Sequence, residues 1–223
     1  MLALLHTSPA HVPVFDALRD SDHPGLELRH FVEEPLLERA RRDGPEAVAG
    51  EVRALLDRAA ADGARAVLCT CSTLGAVAES AGATAPVPVL RVDRPMAAAA
   101  VAAGARVAVV ATVESTLAPT TALVEEEARR AGRAVTVRTL LVEGAWERWR
   151  AGDTEGCARR IATAVDALTD VDVVVLAQAS MTPAESLTTA PVPVLSSPRP
   201  GLAAAARVTA HSTWAPPGES PRR

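Results

Sequence analysis

"VLCTCSTLGAVAE", residues 67–79, decides how this chain is read. An apolar run reaches Cys69 and Cys71, passes through Ser72 and Thr73, and continues past Gly75 into sequence that suits a helix. A short buried strand that turns at polar residues into a helix is half of a βα unit. "VVVLAQASMTPAES", residues 173–186, repeats the layout, and matching the shared letters, Ser72 to Ser180, puts Ala179 where Cys71 stands. One stretch predicts a parallel sheet, and its echo predicts that the sheet occurs twice.

Working outward, short β-branched runs alternate with longer Ala/Leu/Arg/Glu stretches along the chain, the pattern of an α/β protein. Strands are expected near 2–6, 26–31, 65–70, 88–91, 106–111, 135–141, 172–177 and 193–195. Helices are expected near 10–20, 35–61, 73–82, 96–103, 115–131, 153–169, 181–188 and 199–211. "APVPVL" occurs at 85–90 and again at 190–195; "LELRHF" at 26–31 matches "VTVRTL" at 135–140, and "LALLHTS" at 2–8 matches "VAVVATV" at 107–113. A period this long, present twice, marks a duplicated domain rather than a solenoid. The expected fold is therefore two pseudo-symmetric, flavodoxin-like α/β halves with parallel four-stranded sheets and an active-site cleft between them. Ligands of open parallel sheets sit beyond the carboxyl ends of the strands. That rule selects His6, Thr7 and Ser8 after the first strand, Cys71, Ser72 and Thr73 after the third, Thr112, Ser115 and Thr116 after the fifth, and Gln178 and Ser180 after the seventh.

Composition narrows the chemistry. The 223 residues are 48% hydrophobic, enough for a sizeable core, and the formal net charge of −4 argues against a nucleic-acid partner. No apolar window reaches membrane-spanning length, and "MLALLHTSPAHVPV" reads as a first strand rather than a signal peptide, so no membrane partner is expected. Three cysteines do not make a disulfide framework, and a reducing cytoplasm is the expected location. All 23 basic residues are arginine; lysine, tyrosine and asparagine are absent. Without lysine there is no pyridoxal phosphate aldimine, no Schiff-base chemistry and no Walker A loop. No cofactor is expected. Metal is not expected either, because Cys69 and Cys71 offer too few ligands for a zinc site.

Cys71 lies at the switch from strand to helix. The hydroxyl of Ser72 or Thr73 can cap the helix. The first-turn N–H groups and the helix dipole favour a carboxylate or a thiolate at that point. Cys69, inside the strand, reads as a small buried hydrophobe, and Cys157, in "TEGCARR", as incidental. Trp146 and Trp149, three apart, face one side of a helix and read as packing. Arg94 and Arg199, both before proline after a strand, read as surface residues. The Ala-rich helix faces make a homodimer a candidate assembly.

The chain resembles the aspartate/glutamate racemase superfamily, which includes hydantoin racemases, maleate isomerases and arylmalonate decarboxylases. "CSTLG" (71–75), "GARVAVVATVEST" (104–116) and the two-fold repeat carry the resemblance, which covers about residues 1–211. It implies two cysteines, one per half, that move a proton at the carbon α to a carboxylate without a cofactor. Cys71 is then the first-half base, and Ser72, Thr73, Thr112, Ser115, Thr116 and Ser180 are candidate binders of a small carboxylate-bearing substrate. It also implies a first half of 1–94 plus 196–212 and a second of 95–195; the Pro-rich composition of "TWAPPGESPRR", 213–223, reads as a disordered tail.

The departure from the family pattern is read at Ala179, where a methyl group cannot move a proton. Three readings follow. His6 could supply the second acid, with Glu34 and Glu185 behind it. A single-thiol reaction could suffice: an arylmalonate-type decarboxylation, or nucleophilic use of Cys71. Or the chain could bind a small acid without turning it over. The leading expectation is a cofactor-independent racemase or isomerase with Cys71 as base or nucleophile.

Overall fold

The computed structural model describes residues 1–212; the tail expected to be disordered, 213–223, lies outside the described residues. Contacts divide the chain into two compact units. Unit 1 runs from Met1 to Val92 and resumes at Gly201, and unit 2 is Asp93–Pro200. Each is an α/β unit with one four-stranded parallel sheet and flanking helices.

Unit 1 contains β1 (Leu2–His6), α1 (His11–Asp22), β2 (Leu28–Val32), α2 (Glu34–Asp43), α3 (Ala49–Ala61), β3 (Ala66–Cys69), α4 (Ser72–Gly82) and β4 (Val89–Arg91). Its strand order is β2-β1-β3-β4. Unit 2 contains α5 (Arg94–Ala103), β5 (Arg106–Ala111), α6 (Leu117–Arg130), β6 (Thr136–Leu141), α7 (Ala145–Arg150), α8 (Thr154–Asp166), β7 (Val173–Leu176) and β8 (Val194–Leu195), in the order β6-β5-β7-β8. The two orders are the same once the repeat is allowed for. A last helix, α9 (Pro198–His211), places Leu202 and Ala205 among Leu2, Leu4, Phe15, Ala66 and Leu68 of unit 1. Its close approach depends on Gly201, where a Cβ would lie 2.4 Å from the Val92 carbonyl oxygen.

The central strands β1, β3 and β7 are buried along their whole length, and β5 is buried from Val107 on. Helices on both faces of a parallel sheet demand such continuous apolar runs. In unit 1, Ala3, Leu5, Val67 and Cys69 serve one core and Leu2, Leu4, Ala66 and Leu68 the other. Unit 2 divides in the same way, with Ala108, Val110, Val174 and Leu176 in one core and Val107, Val109, Val173 and Val175 in the other.

Three expectations about elements are corrected. The single helix expected over 35–61 is two helices, broken where Gly44 takes φ 90° ahead of a 3-10 turn at Pro45–Val48. The helix expected near 181–188 is a 3-10 segment, Ala179–Ser186, with Pro183 inside it. The short α7 lies outside the expected helix ranges, although the spacing of Trp146 and Trp149 puts them on one face of a helix, and there their rings stack at 4.8 Å.

The fourth correction concerns Ala179. In unit 1, β1 pairs with β3 as Leu2↔Ala66 through Leu5↔Cys69. In unit 2, β5 pairs with β7 as Val107↔Val173 through Val110↔Leu176. Matching β1 to β5 through "LALLHTS" and "VAVVATV" therefore sets Cys69 against Leu176 and Cys71 against Gln178. The division of side chains between the cores agrees, because Cys69 joins Leu5 and Leu176 joins Val110. A one-residue slip would put each side chain on the wrong face. Ala179 is the counterpart of Ser72; the position equivalent to Cys71 is Gln178.

Candidate functional site

The candidate residues of unit 1 gather where β1 and β3 end. Cys71 is in extended conformation (φ −104°, ψ 115°) and occupies the N-cap of α4, with no side-chain capping bond. The chain turns there because Cys71 leaves the strand while its carbonyl accepts from the Leu74 N–H at 3.1 Å, which opens the helix. The thiol belongs to a residue only 7% exposed, and among the described residues no hydrogen-bond partner for its Sγ is found. Ser72 and Thr73 follow, both buried, and the Thr73 hydroxyl is a buried group without a partner. Cys69 is completely buried, and its S–H donates to the Cys71 carbonyl at 3.7 Å.

Gly75 has a spatial reason. A Cβ there would meet the Arg91 guanidinium at 2.7–3.1 Å, so glycine lets a buried arginine lie against the first turn of α4.

His6 has no exposure, and both ring nitrogens are engaged. Nδ1 meets the Thr70 hydroxyl at 2.8 Å and Nε2 meets Nδ1 of His30 at 2.8 Å. The Thr70 hydroxyl also donates to the Leu5 carbonyl at 3.1 Å, so His6 Nδ1–H is the donor to Thr70 and Nε2 is the acceptor. The second nitrogen of His30 faces Asp16 at 3.3 Å. Burial, then the neighbouring His11 and His30, push the His6 pKa down to about 3, so its imidazole is neutral at physiological pH. A neutral ring with both nitrogens committed inside the protein is not placed to act as a second acid. Thr7 is buried, and Ser8 Oγ accepts weakly from the Ala10 N–H at 3.4 Å. Glu34 lies exposed in the first turn of α2, and in unit 2 the Glu185 carboxylate accepts from Ser196 Oγ at 2.6 Å.

In unit 2 the ends of β5 and β7 bring Thr112 and Gln178 together. Gln178 Oε1 accepts from the Thr112 N–H at 2.7 Å, the Thr112 hydroxyl at 2.9 Å and the Val113 N–H at 3.2 Å. Thr116 Oγ1 donates to the Val113 carbonyl at 2.7 Å, closing the 3-10 turn Glu114–Thr116. Within that turn the Ser115 hydroxyl is buried without a partner. Ser180 is half-buried in the 3-10 segment that follows Gln178.

Other features fall outside these clusters. Arg94 pairs with Glu126 and Glu127 of α6. Burial, with Asp153 adding to it, pushes the Cys157 thiol up, as for an inert core cysteine. An open groove of about 720 Å³ runs along β6 and α8, and Arg148, Arg159 and Arg160 line it. Those arginines are held by Asp153, Glu155 and the Glu143 carbonyl, and no candidate residue borders it. Among the described residues no helix is long and apolar enough to cross a membrane, and no group of three or more His, Cys, Asp or Glu side chains could hold a metal ion.

Comparison with known proteins agrees with the fold. The family model for Asp/Glu/Hydantoin racemase matches residues 9–206. No curated protein matches the sequence significantly. Among solved structures, a glutamate racemase from Bacillus anthracis superposes with a TM-score of 0.73 at 15% identity, covering 97% of this chain and 84% of that one. Allantoin racemase from Pseudomonas fluorescens gives 0.62 at 20% identity, with both chains covered completely. Arylmalonate decarboxylase gives 0.60 at 20%, covering 97% and 96%. At these identities the structural likeness is one of fold, whereas the family model spans most of the sequence. This chain belongs to the Asp/Glu/hydantoin racemase family.

Proposed function

We propose that this protein is a cofactor-independent racemase-type enzyme that moves a proton at the carbon α to a carboxylate or carbonyl of a small molecule, with the Cys71 thiol as the base. The observation that carries the reading is the Cys71 thiol at the N-cap of α4, without a hydrogen-bond partner among the described residues and followed two residues on by Thr73, whose buried hydroxyl is unpartnered. The N–H groups of a helix start and the aligned peptide dipoles stabilise negative charge there. That charge can be the thiolate that removes the proton or the substrate carboxylate. Thr73 is a hydrogen-bond donor in waiting, since a buried hydroxyl without a partner costs about 1–3 kcal/mol until one arrives. The absence of lysine from the sequence excludes a pyridoxal phosphate aldimine.

A second reading, decarboxylation, is favoured by Gln178. If the residue equivalent to Cys71 cannot carry a proton, a reaction that needs only one protonation suits the chain better than symmetric racemisation.

Proton NMR in deuterated buffer tests both, with aspartate, glutamate, hydantoins and arylmalonates as substrates and Cys71→Ala as control. Loss of an α-proton signal that depends on Cys71 supports carbon-acid chemistry, and release of carbon dioxide selects the decarboxylase. Absence of exchange and of carbon dioxide across the set rejects both in favour of a binding protein.

A further inference from the structure

We propose that Gln178 is a substrate-binding group whose carboxamide N–H donors hold a carboxylate or carbonyl oxygen, and that unit 2 offers hydrogen bonds where unit 1 offers a thiol. The ligand class rests on the function proposed above; the binding role rests on the geometry of unit 2.

The internal repeat sets the question. The ladders place Gln178 in unit 2 where unit 1 has Cys71. A thiol can give up a proton and take it back near neutral pH. A primary carboxamide cannot, so the two equivalent positions have different chemistry. The orientation of the carboxamide is then decided by its surroundings. Two of the three groups around Oε1 are backbone N–H groups, which only donate. The oxygen must therefore face them, and the nitrogen must face away. Nε2 has no hydrogen-bond partner among the described residues, nor is it one of the unpartnered buried atoms, so it is open to solvent or ligand. Two residues beyond Val113, the Ser115 hydroxyl is buried and unpartnered.

The consequence is a pre-oriented donor. Three bonds to Oε1 remove the rotational freedom that a glutamine normally loses on binding, which is the physical content of preorganisation. The same three bonds polarise the amide and strengthen the N–H donors on its far side. What fits such a donor is an acceptor-only oxygen: a carboxylate, or the carbonyl of a cyclic imide.

The sequence supplies the means of testing this. Gln178 is the only glutamine, and there is no asparagine. A ¹⁵N–¹H correlation spectrum of the full labelled chain therefore contains one side-chain carboxamide pair, assigned without further work. Malonate, D- and L-aspartate, phenylmalonate and hydantoin are titrated in turn. The expected result is a saturable shift of this pair with at least one probe. In a Gln178→Glu variant the carboxylate keeps the acceptor for Thr112 and Val113 but replaces the N–H donors by a second oxygen. It is expected to stay folded, with that probe bound about tenfold or more weakly, as for a lost hydrogen bond to a charged group.

A carboxamide pair that no probe moves overturns the proposal. So does a Gln178→Glu variant that binds the probe as the parent does, because Gln178 would then be only a structural tie. Failure of the proposed function reads out separately, as absent Cys71-dependent deuterium exchange, and leaves the carboxamide shift standing as evidence of binding.

Discussion

Cys71→Ala is expected to abolish α-proton exchange while leaving the fold intact, since it removes a thiol with no partner among the described residues to lose. Cys69→Ala is expected to keep activity and to cost about 1 kcal/mol, because it trims a fully buried side chain at a position where alanine fits the strand. Deuterium exchange and urea unfolding on the two variants separate the roles. His6 makes a different prediction. Its folded pKa of about 3 lies below its ordinary 6.5, so between those values the unfolded chain binds the proton and the folded one does not. The stabilisation from neutral His6 is complete above the unfolded value and is lost as pH falls from about 6.5 towards 3. Urea unfolding should show stability falling with acidity, by up to about 1.4 kcal/mol per pH unit from this one residue. His11, also pushed down by burial, adds in the same direction. A flat profile between pH 7 and 5 contradicts the buried arrangement of His6, His11 and His30.

At the scale of elements, helix starts and strand ends do the positioning. α4 begins at Ser72, with Cys71 as its N-cap, because β3 ends at Cys69; the 3-10 segment begins at Ala179, after Gln178, because β7 ends at Leu176. α9 shows how close packing constrains a helix. Gly201→Ala would drive a Cβ against the Val92 backbone oxygen, which cannot rotate away as a side chain could. The expected cost is about 1–3 kcal/mol, the usual range for overpacking, read as a lowered melting temperature. An unchanged midpoint would mean that α9 shifts freely on unit 1.

At the scale of the whole molecule, unit 1 is discontinuous and unit 2 is not. Ending the chain after Pro200 removes Leu202 and Ala205 from the core around Leu2, Leu4 and Phe15. Hydrogen exchange on that truncated chain is expected to show lost protection in β1 and β3, while β5 and β7 stay protected. Equal loss in both units would mean that they fold as one cooperative body rather than each around its own core.

The strands and the parallel α/β class were legible in the sequence because apolar runs and their turn residues are local signals. So were the duplication, and Cys71 as the residue to ask about. The break between α2 and α3 was also written there, in Gly44 and Pro45, but the helical periodicity on either side hid it. What the letters could not settle was register. β3 and β7 are buried on both faces, so they carry no alternation of polar and apolar residues to fix the alignment, and shared letters favoured Ala179 over Gln178. Hydrogen-bond ladders count residues across strands, and they decided for Gln178. The fate of His6 was likewise tertiary: a histidine at a strand end reads as an acid until the fold brings Thr70 and His30 to its two nitrogens and closes it off from water.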